Sequence, residues 1–139
     1  MPSRHLSIRI DPESFERLER ESRRMRLSRS ELARTLLEEG LRMEAHPGIV
    51  FRDGPTGRRP GLAGGPDIWE VARVYREVEG PDRIRETADL TGLLHQQIRA
   101  AASYYSEFQD EIDDWIAMVD EVAERAEAVW LASERKLAG

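Results

Sequence analysis

The sequence contains no cysteine and few aromatic side chains, with three each of Trp, Tyr and Phe among 139 residues. Without thiols the chain can form neither a disulfide framework nor a thiolate zinc site, which fits an intracellular setting. No apolar run approaches the length of a membrane span, and the N-terminus lacks the apolar stretch of a signal peptide. We therefore expect a cytoplasmic protein with no membrane partner.

The residue groupings that catalysis or metal binding requires are also missing. The three histidines, His5, His46 and His95, lie far apart and show no ligand spacing. No nucleophile has a neighbouring base. The carboxylates of "DEIDD" fall on the solvated face of a predicted helix, and the glycine-rich segment lacks the Gly-Lys-Ser/Thr of a phosphate-binding loop. We expect no enzyme, no catalytic residues, no cofactor, no metal ion and no small-molecule substrate.

Charge is unevenly distributed along a chain whose net charge is −6. Residues 1–34 hold nine Arg against six acidic residues, a net charge of +3, whereas residues 101–139 hold three basic residues against ten acidic ones, a net charge of −7. A basic start and an acidic end indicate different partners.

The stretch "HLSIRIDP", residues 5–12, alternates polar and apolar side chains, which predicts a half-buried strand. A helix follows at once, because Asp11 can cap its N-terminus and Pro12 suits its first position. A second helix begins after "RLSRSEL", where Ser28 and Glu31 form a capping box, and runs to about residue 44. Nothing in this part of the chain can pair with the strand.

One strand and two amphipathic helices are too small to bury their apolar faces alone. Two copies would solve both problems, since their strands would pair across a two-fold axis and their helices would share one core. We therefore expect a homodimer formed through the N-terminal strand. The side chains that point outward from the paired strands are then His5, Ser7 and Arg9.

These residues resemble the ribbon-helix-helix family, also called the Arc/MetJ or CopG class of bacterial repressors and antitoxins. The resemblance covers residues 4–44 and rests on "HLSIRIDPESFERLE" and "LSRSELARTLLEEGL". It implies a two-stranded ribbon inserted into the major groove of operator DNA, with base contacts from His5, Ser7 and Arg9. It also implies phosphate contacts at the amino end of the second helix, from Ser28, Arg29 and Ser30.

The composition changes in residues 46–66, which hold six of the ten glycines and four of the seven prolines. Short apolar runs, residues 49–51 and the segment ending at Leu62, flank "DGPTG" and predict a β-hairpin. Three helices are expected to follow, beginning near Pro66, within "GPDRI", and at Asp89 or Thr91.

A hairpin followed by three helices suggests a helix-turn-helix-like domain. Four polar side chains lie on its third helix, and they either contact DNA or form a solvated scaffold: His95, Gln96, Gln97 and Arg99. Residues 46–111 also resemble a bacterial domain family catalogued as of unknown function, whose members are antitoxin partners of PIN-like ribonuclease toxins, similar to the VapB class. "HPGI", "GRRPGLAGGPDIWEV" and "IRAAASYY" with "EFQDEID" carry the resemblance, which implies a PIN-like ribonuclease as partner.

The segment from Ala100 to Ala138 contains neither Gly nor Pro, and its apolar residues recur with heptad regularity. This pattern predicts one long amphipathic helix with an acidic opposite face. Such a helix suits a basic groove, although self-association as a coiled coil is the alternative. The expected partner-binding residues are Phe108, Ile112, Trp115, Ile116, Val119, Val122 and Trp130.

The expected fold is therefore mainly α with a small β component, in three parts. Residues 1–45 form the ribbon-helix-helix DNA-binding and dimerisation domain, residues 46–107 the hairpin and three helices, and residues 108–139 the partner-binding helix. The expected function is that of a type II antitoxin and autorepressor which neutralises a PIN-like ribonuclease. The alternatives are a stand-alone ribbon-helix-helix transcription factor and a dimeric interaction protein that does not bind DNA.

Overall fold

The structure, a computed structural model of one chain, describes residues 2–55 and 57–139. Six helices make up 66% of the chain and two short strands pair as an antiparallel sheet, so the predicted mainly helical class with a small β component is confirmed. In the described residues the elements are α1 (Pro12–Met25), α2 (Arg29–Ala45), β1 (Ile49–Arg52), β2 (Arg59–Leu62), α3 (Ile68–Tyr75), α4 (Arg83–Thr91), α5 (His95–Glu107) and α6 (Gln109–Ala138). They group into two compact units, Met1–Glu44 and Ala45–Gly139.

The two helices of the first unit begin where their capping residues predict. The Asp11 carboxylate accepts a hydrogen bond from the Ser14 backbone N–H at 2.8 Å, and this bond lowers the pKa of Asp11. The helix α1 closes at Arg26, whose φ of 56° is left-handed. The Ser28 hydroxyl then accepts from the Glu31 N–H at 3.1 Å and caps α2.

Residues 2–10 form neither helix nor strand within the single chain, and all of them are exposed. The sheet of the described residues is formed by β1 and β2 alone, so residues 2–10 have no strand pairing within that part of the chain. The intermolecular strand stays a prediction.

The second unit contains the predicted hairpin. Its strands pair antiparallel, with Ile49 opposite Leu62 and Arg52 opposite Arg59. Thr56, within the predicted turn, lies outside the described residues. Ile49 and Leu62 are both buried and join side chains from all four following helices in one core.

The predicted start of the third helix in this unit is wrong. The third helix does not begin at Asp89 or Thr91, because both residues belong to α4, which ends at Gly92 with a φ of 75°. The helix α5 begins only at His95. A three-residue connection between α4 and α5 is the length found in helix-turn-helix motifs.

The single long helix predicted after Ala100 is also wrong. The chain leaves helical geometry at Phe108, with φ −116° and ψ 37°, and this break separates α5 from α6. Both helices pack against α3, which a continuous straight helix could not achieve. No spacing rule detects the break, because Phe108 is a residue that helices accept.

The core of the second unit holds twelve buried residues: Ile49, Leu62, Ile68, Val71, Ala72, Ala88, Ile98, Ala101, Tyr104, Tyr105, Ile112 and Ile116. The other four elements of this unit, α4, α6, β1 and β2, all contact α3 or α5, so these two helices form its centre. Among the described residues, none of the helices combines the length and the apolar character needed to span a membrane.

Candidate nucleic-acid and partner interfaces

The predicted base-contacting side chains lie on an open segment. His5, Ser7 and Arg9 are exposed, as is every other residue from 2 to 17. The apolar residues between them are equally accessible, with Leu6 65% and Ile8 71% exposed. In the single chain, the polar and the apolar side chains of this segment are therefore both exposed to solvent.

The rest of the first unit also buries very little hydrophobic surface. Leu32 is its one buried hydrophobic side chain among residues 2–44. Six further large hydrophobic side chains of that unit are exposed: Ile10, Phe15, Leu36, Leu37, Leu41 and Met43. Exposing this many large apolar side chains in so short a segment is unusual for a surface in its final assembly.

An open groove lies between the N-terminal segment and the two helices of the first unit. Its apolar lining includes Ile8, Ile10, Phe15 and Leu18, and its polar lining is formed by Arg9, Arg29 and Ser30. This groove is thus lined both by apolar residues of the predicted strand and by cationic residues of the predicted DNA-binding surface. The groove offers space for apolar side chains of a second copy.

The three predicted phosphate-contacting residues are exposed at the start of α2. Ser28 already caps this helix. The Arg29 guanidinium lies 3.0 Å from a Glu19 carboxylate oxygen and 5.0 Å from the centre of the Phe15 ring. Arg29 must therefore release Glu19, or share its donors, to contact a phosphate, whereas Ser30 is exposed in the first turn.

The first part of α6 is fixed to the chain's own core, which corrects part of the predicted partner surface. Ile112 and Ile116 are 3% and 0% exposed, and Phe108 packs against the same core. A partner cannot contact Ile112 or Ile116 without first removing α6. Trp115 and Val119 are half-buried beside them.

Two acidic side chains of α6 pair with an arginine of α3 and with the arginine that follows it. Arg73 forms an ion pair with Asp120, and Arg76 lies 3.2 Å from Asp113. The Tyr105 hydroxyl donates to Asp113 at 2.6 Å. Burial, together with this bond and the nearby carboxylate charge, raises the pKa of Tyr105 to about 12. Sequence reasoning placed both carboxylates on a solvated face, because their partners lie 37 and 47 residues away.

We call residues 121–138, the part of α6 beyond residue 120, the overhang. Every residue in it is exposed. Val122 is 60% and Trp130 59% exposed, and both remain accessible to a partner. Further exposed apolar residues are Val129, Leu131 and Leu137.

A buried polar cluster at the hairpin was missed in the sequence. Asp67 accepts hydrogen bonds from Arg59 Nε at 2.5 Å and from Trp69 Nε1 at 3.2 Å, and Arg52 lies 3.2 Å from its other oxygen. A Cβ at Gly61 would clash with the Arg52 guanidinium. Arg52 of β1 and Arg59 of β2 thus tie the hairpin to the start of α3 through Asp67, and both cationic side chains are used within the chain.

His46 is a second buried group that sequence reasoning left without a role. Its Nε2 pairs with the Glu107 carboxylate and its Nδ1 lies 3.2 Å from the Ser103 hydroxyl. The ring packs edge-on against Tyr104 and Phe108. His46 therefore joins the start of the second unit to the end of α5.

The four polar residues considered on the third helix differ in accessibility. His95, Gln96 and Arg99 are exposed, whereas Gln97 is half-buried and its side chain accepts from the Leu94 N–H at 2.9 Å. Gln97 therefore caps α5. In residues 2–55 and 57–139 no three acidic or histidine side chains are grouped as metal ligands would be.

Comparison with known proteins yields no match for this chain, neither to a family model, nor to a curated protein, nor to a solved structure.

Proposed function

We propose that this protein is a type II antitoxin and transcriptional autorepressor that acts in the cytoplasm. In this proposal the first unit dimerises as a ribbon-helix-helix domain and binds operator DNA, and the second unit captures a PIN-like ribonuclease toxin through α6. The observation that carries the proposal is the exposure of the first unit's apolar side chains, of which Ile8, Leu6 and Leu41 are the most open.

The step from exposure to a dimer is thermodynamic. Burying a large aliphatic side chain contributes about 1.5–3 kcal/mol, and this unit forgoes that gain at several positions as a monomer. A second copy supplies both missing items, a strand for the backbone of residues 5–10 and apolar side chains for the groove beside Phe15. The paired strands would then present His5, Ser7 and Arg9 on one face.

That face suits the major groove, which is wide enough for two strands. The first unit's basic bias, +3 over residues 1–34, favours a polyanion. Ser30 and Arg29 lie in the first turn of α2, and the backbone N–H groups at a helix start suit a phosphate.

The partner half of the proposal rests on the overhang. Its exposed Val122 and Trp130 lie on one side of a helix whose other side is acidic. Large apolar anchors on an acidic helix suit the basic surface of an enzyme that handles RNA. The predicted partner surface is thereby reduced to residues from about 119 onward.

Operator binding is tested with duplexes from the region upstream of the protein's own gene and with scrambled duplexes of equal length. We expect preference for the upstream duplex and a steep loss of affinity as salt rises. Arg9→Ala should remove about 1–3 kcal/mol of that preference. The control is Arg17→Ala, because Arg17 is exposed on α1 and pairs with Glu13 at 3.2 Å. If the protein bound no duplex at any salt concentration, the result would contradict operator binding and support the alternative of a dimeric interaction protein.

Ribonuclease capture is tested by co-expression with the product of the adjacent reading frame. We expect that product to co-purify and its RNA cleavage to be suppressed. Val122→Asp with Trp130→Asp should restore cleavage, whereas Glu124→Gln, on the opposite side of α6, should not. Operator binding without any captured ribonuclease would indicate a stand-alone transcription factor.

A further inference from the structure

One ion pair of the first unit joins its two helices. The Arg29 guanidinium, in the first turn of α2, lies 3.0 Å from a carboxylate oxygen of Glu19 on α1. It differs in this from three pairs that each lie within one helix: Glu13–Arg17, Glu21–Arg24 and Glu38–Arg42. Because Arg29 is one of the predicted phosphate-contacting residues, its partner bears directly on that contact.

The Arg29 side chain contacts α1 at two points. Its guanidinium lies 5.0 Å from the centre of the Phe15 ring, and Phe15 precedes Glu19 by about one helical turn. The same guanidinium is therefore held by a ring and by a carboxylate of one helix. The side chains of Arg29 and Glu19 are 54% and 37% exposed, so a ligand from solvent can reach the pair.

A carboxylate and a phosphate compete for the same donors of an arginine. A guanidinium binds either group through charge-assisted N–H···O bonds in the same planar geometry. If both groups stayed on Arg29, two negative charges would lie a few ångströms apart and repel each other. A phosphate bound by Arg29 must therefore displace Glu19 or bind against its charge, and either event weakens the contact.

We propose that Glu19 is an internal competitor of the DNA phosphate for Arg29, and that this ion pair limits the affinity of the first unit for DNA. The inference rests on the proposed function and adds to it a residue that opposes a backbone contact. Phosphate contacts carry no sequence information. The competition therefore lowers the affinity for every duplex by the same factor and leaves base reading by Arg9 unchanged.

The size of the effect follows from the exposure of the pair. An exposed ion pair shifts an equilibrium by roughly two- to five-fold, and a dimer would displace two such pairs on one duplex. We expect Glu19→Gln, which keeps the shape of the side chain but not its charge, to raise duplex affinity by roughly five-fold. The upstream and the scrambled duplexes should gain equally.

The matched control is Glu21→Gln. Glu21 also lies on α1, and its carboxylate lies 2.7 Å from Arg24, an exposed arginine outside the predicted DNA-binding surface. This control removes the same charge and breaks the same kind of pair, so it measures the general effect of one acidic group fewer. Glu19→Gln should exceed the control several-fold, and in an Arg29→Gln background the excess should disappear.

A purely structural role of the ion pair predicts the opposite sign. If Glu19 served only to join α1 to α2, or to aim Arg29 at the DNA backbone, Glu19→Gln would loosen that arrangement and lower duplex affinity. Three results would each overturn the competition: a loss of affinity, a gain no larger than that of Glu21→Gln, and a gain that persists without Arg29.

The same titrations separate this inference from the proposed function. If the unmodified protein and all variants bound no duplex at any salt concentration, operator binding would fail, and the competition with it. If all of them preferred the upstream duplex but Glu19→Gln gained nothing beyond the control, only the competition would fail. Sedimentation of each variant at the titration concentration checks that a change in affinity does not arise from a change in dimerisation.

Discussion

At the scale of single residues, Ser28 combines a structural contact with a predicted functional one. Its hydroxyl caps α2 by accepting from the Glu31 N–H, and its position at the helix start is also where a phosphate would bind. Sequence patterns cannot separate these roles, since both require a small polar residue there. Substitutions that keep the cap but change the charge can.

We predict that Ser28→Asp folds like the unmodified protein but loses operator affinity. Asp is as good an N-cap as Ser, while its charge repels the DNA phosphate. Ser28→Asn is the control, because it caps without charge and should retain binding. Unfolding curves and duplex titrations measure the two effects, and equal affinity of the Asp and Asn variants would place Ser28 away from phosphate.

Tyr105 gives a prediction about alkaline stability. Its pKa is raised from 10.0 to about 12 in the folded chain, so folding favours the neutral phenol. This contribution is complete below pH 10 and is lost as the pH rises towards 12. Between pH 10 and pH 12, the free energy of unfolding in urea should therefore fall less for Tyr105→Phe than for the unmodified protein.

The variant is informative because it leaves Asp113 paired with Arg76. At neutral pH Tyr105→Phe should cost about 1–2 kcal/mol, the contribution of a hydrogen bond to a charged acceptor with partial solvent access. An alkaline stability profile identical to that of the unmodified protein would rule out a contribution of Tyr105.

At the scale of elements, α6 is one helix with two environments. Residues up to about 120 are fixed by Ile112, Ile116 and the pairs with α3, whereas the overhang is exposed throughout. A hydrophobic substitution should therefore have an effect that depends on which half it falls in.

We predict that Ile116→Ala lowers the free energy of unfolding by about 2–5 kcal/mol, since it leaves a cavity in a closed core. Leu137→Ala, at a side chain 83% exposed, should change it by about 0.5 kcal/mol or less. Urea unfolding at low protein concentration, followed by circular dichroism, compares the two. Similar losses would mean that the overhang is buried in the free protein.

At the scale of the whole molecule, the two units differ in how much of a hydrophobic core each forms within one chain. The second unit has a core of twelve buried residues, whereas the first buries one hydrophobic side chain among those described. Under the proposed function the first unit gains its core by dimerising, whereas the second unit has its core within one chain.

We predict that Ile8→Asp abolishes both dimerisation and operator binding, because a charge in the shared core is costly. Ser7→Asp, on the outward face of the predicted ribbon, should abolish operator binding alone. Sedimentation measures dimerisation, and duplex titration measures operator binding. A dimer that persists in Ile8→Asp would place the dimer interface elsewhere.

The sequence by itself determined the elements whose signals are local. The caps at Asp11 and Ser28, the hairpin around "DGPTG" and the helical class all depend on residues within a few positions of one another, and the structure contains each of them. The placement of exposed His5, Ser7 and Arg9 beside apolar neighbours also follows from alternation alone.

Only the tertiary structure decided which charged and apolar side chains remain accessible to a partner. The break at Phe108 follows from packing both α5 and α6 on α3, and Asp113, Asp120 and Asp67 are taken up by arginines distant in sequence or across the hairpin. Hydrogen bonds and ion pairs depend on distance in space. A periodic pattern therefore shows that a helix has an acidic side, but it cannot show which acids the fold itself neutralises.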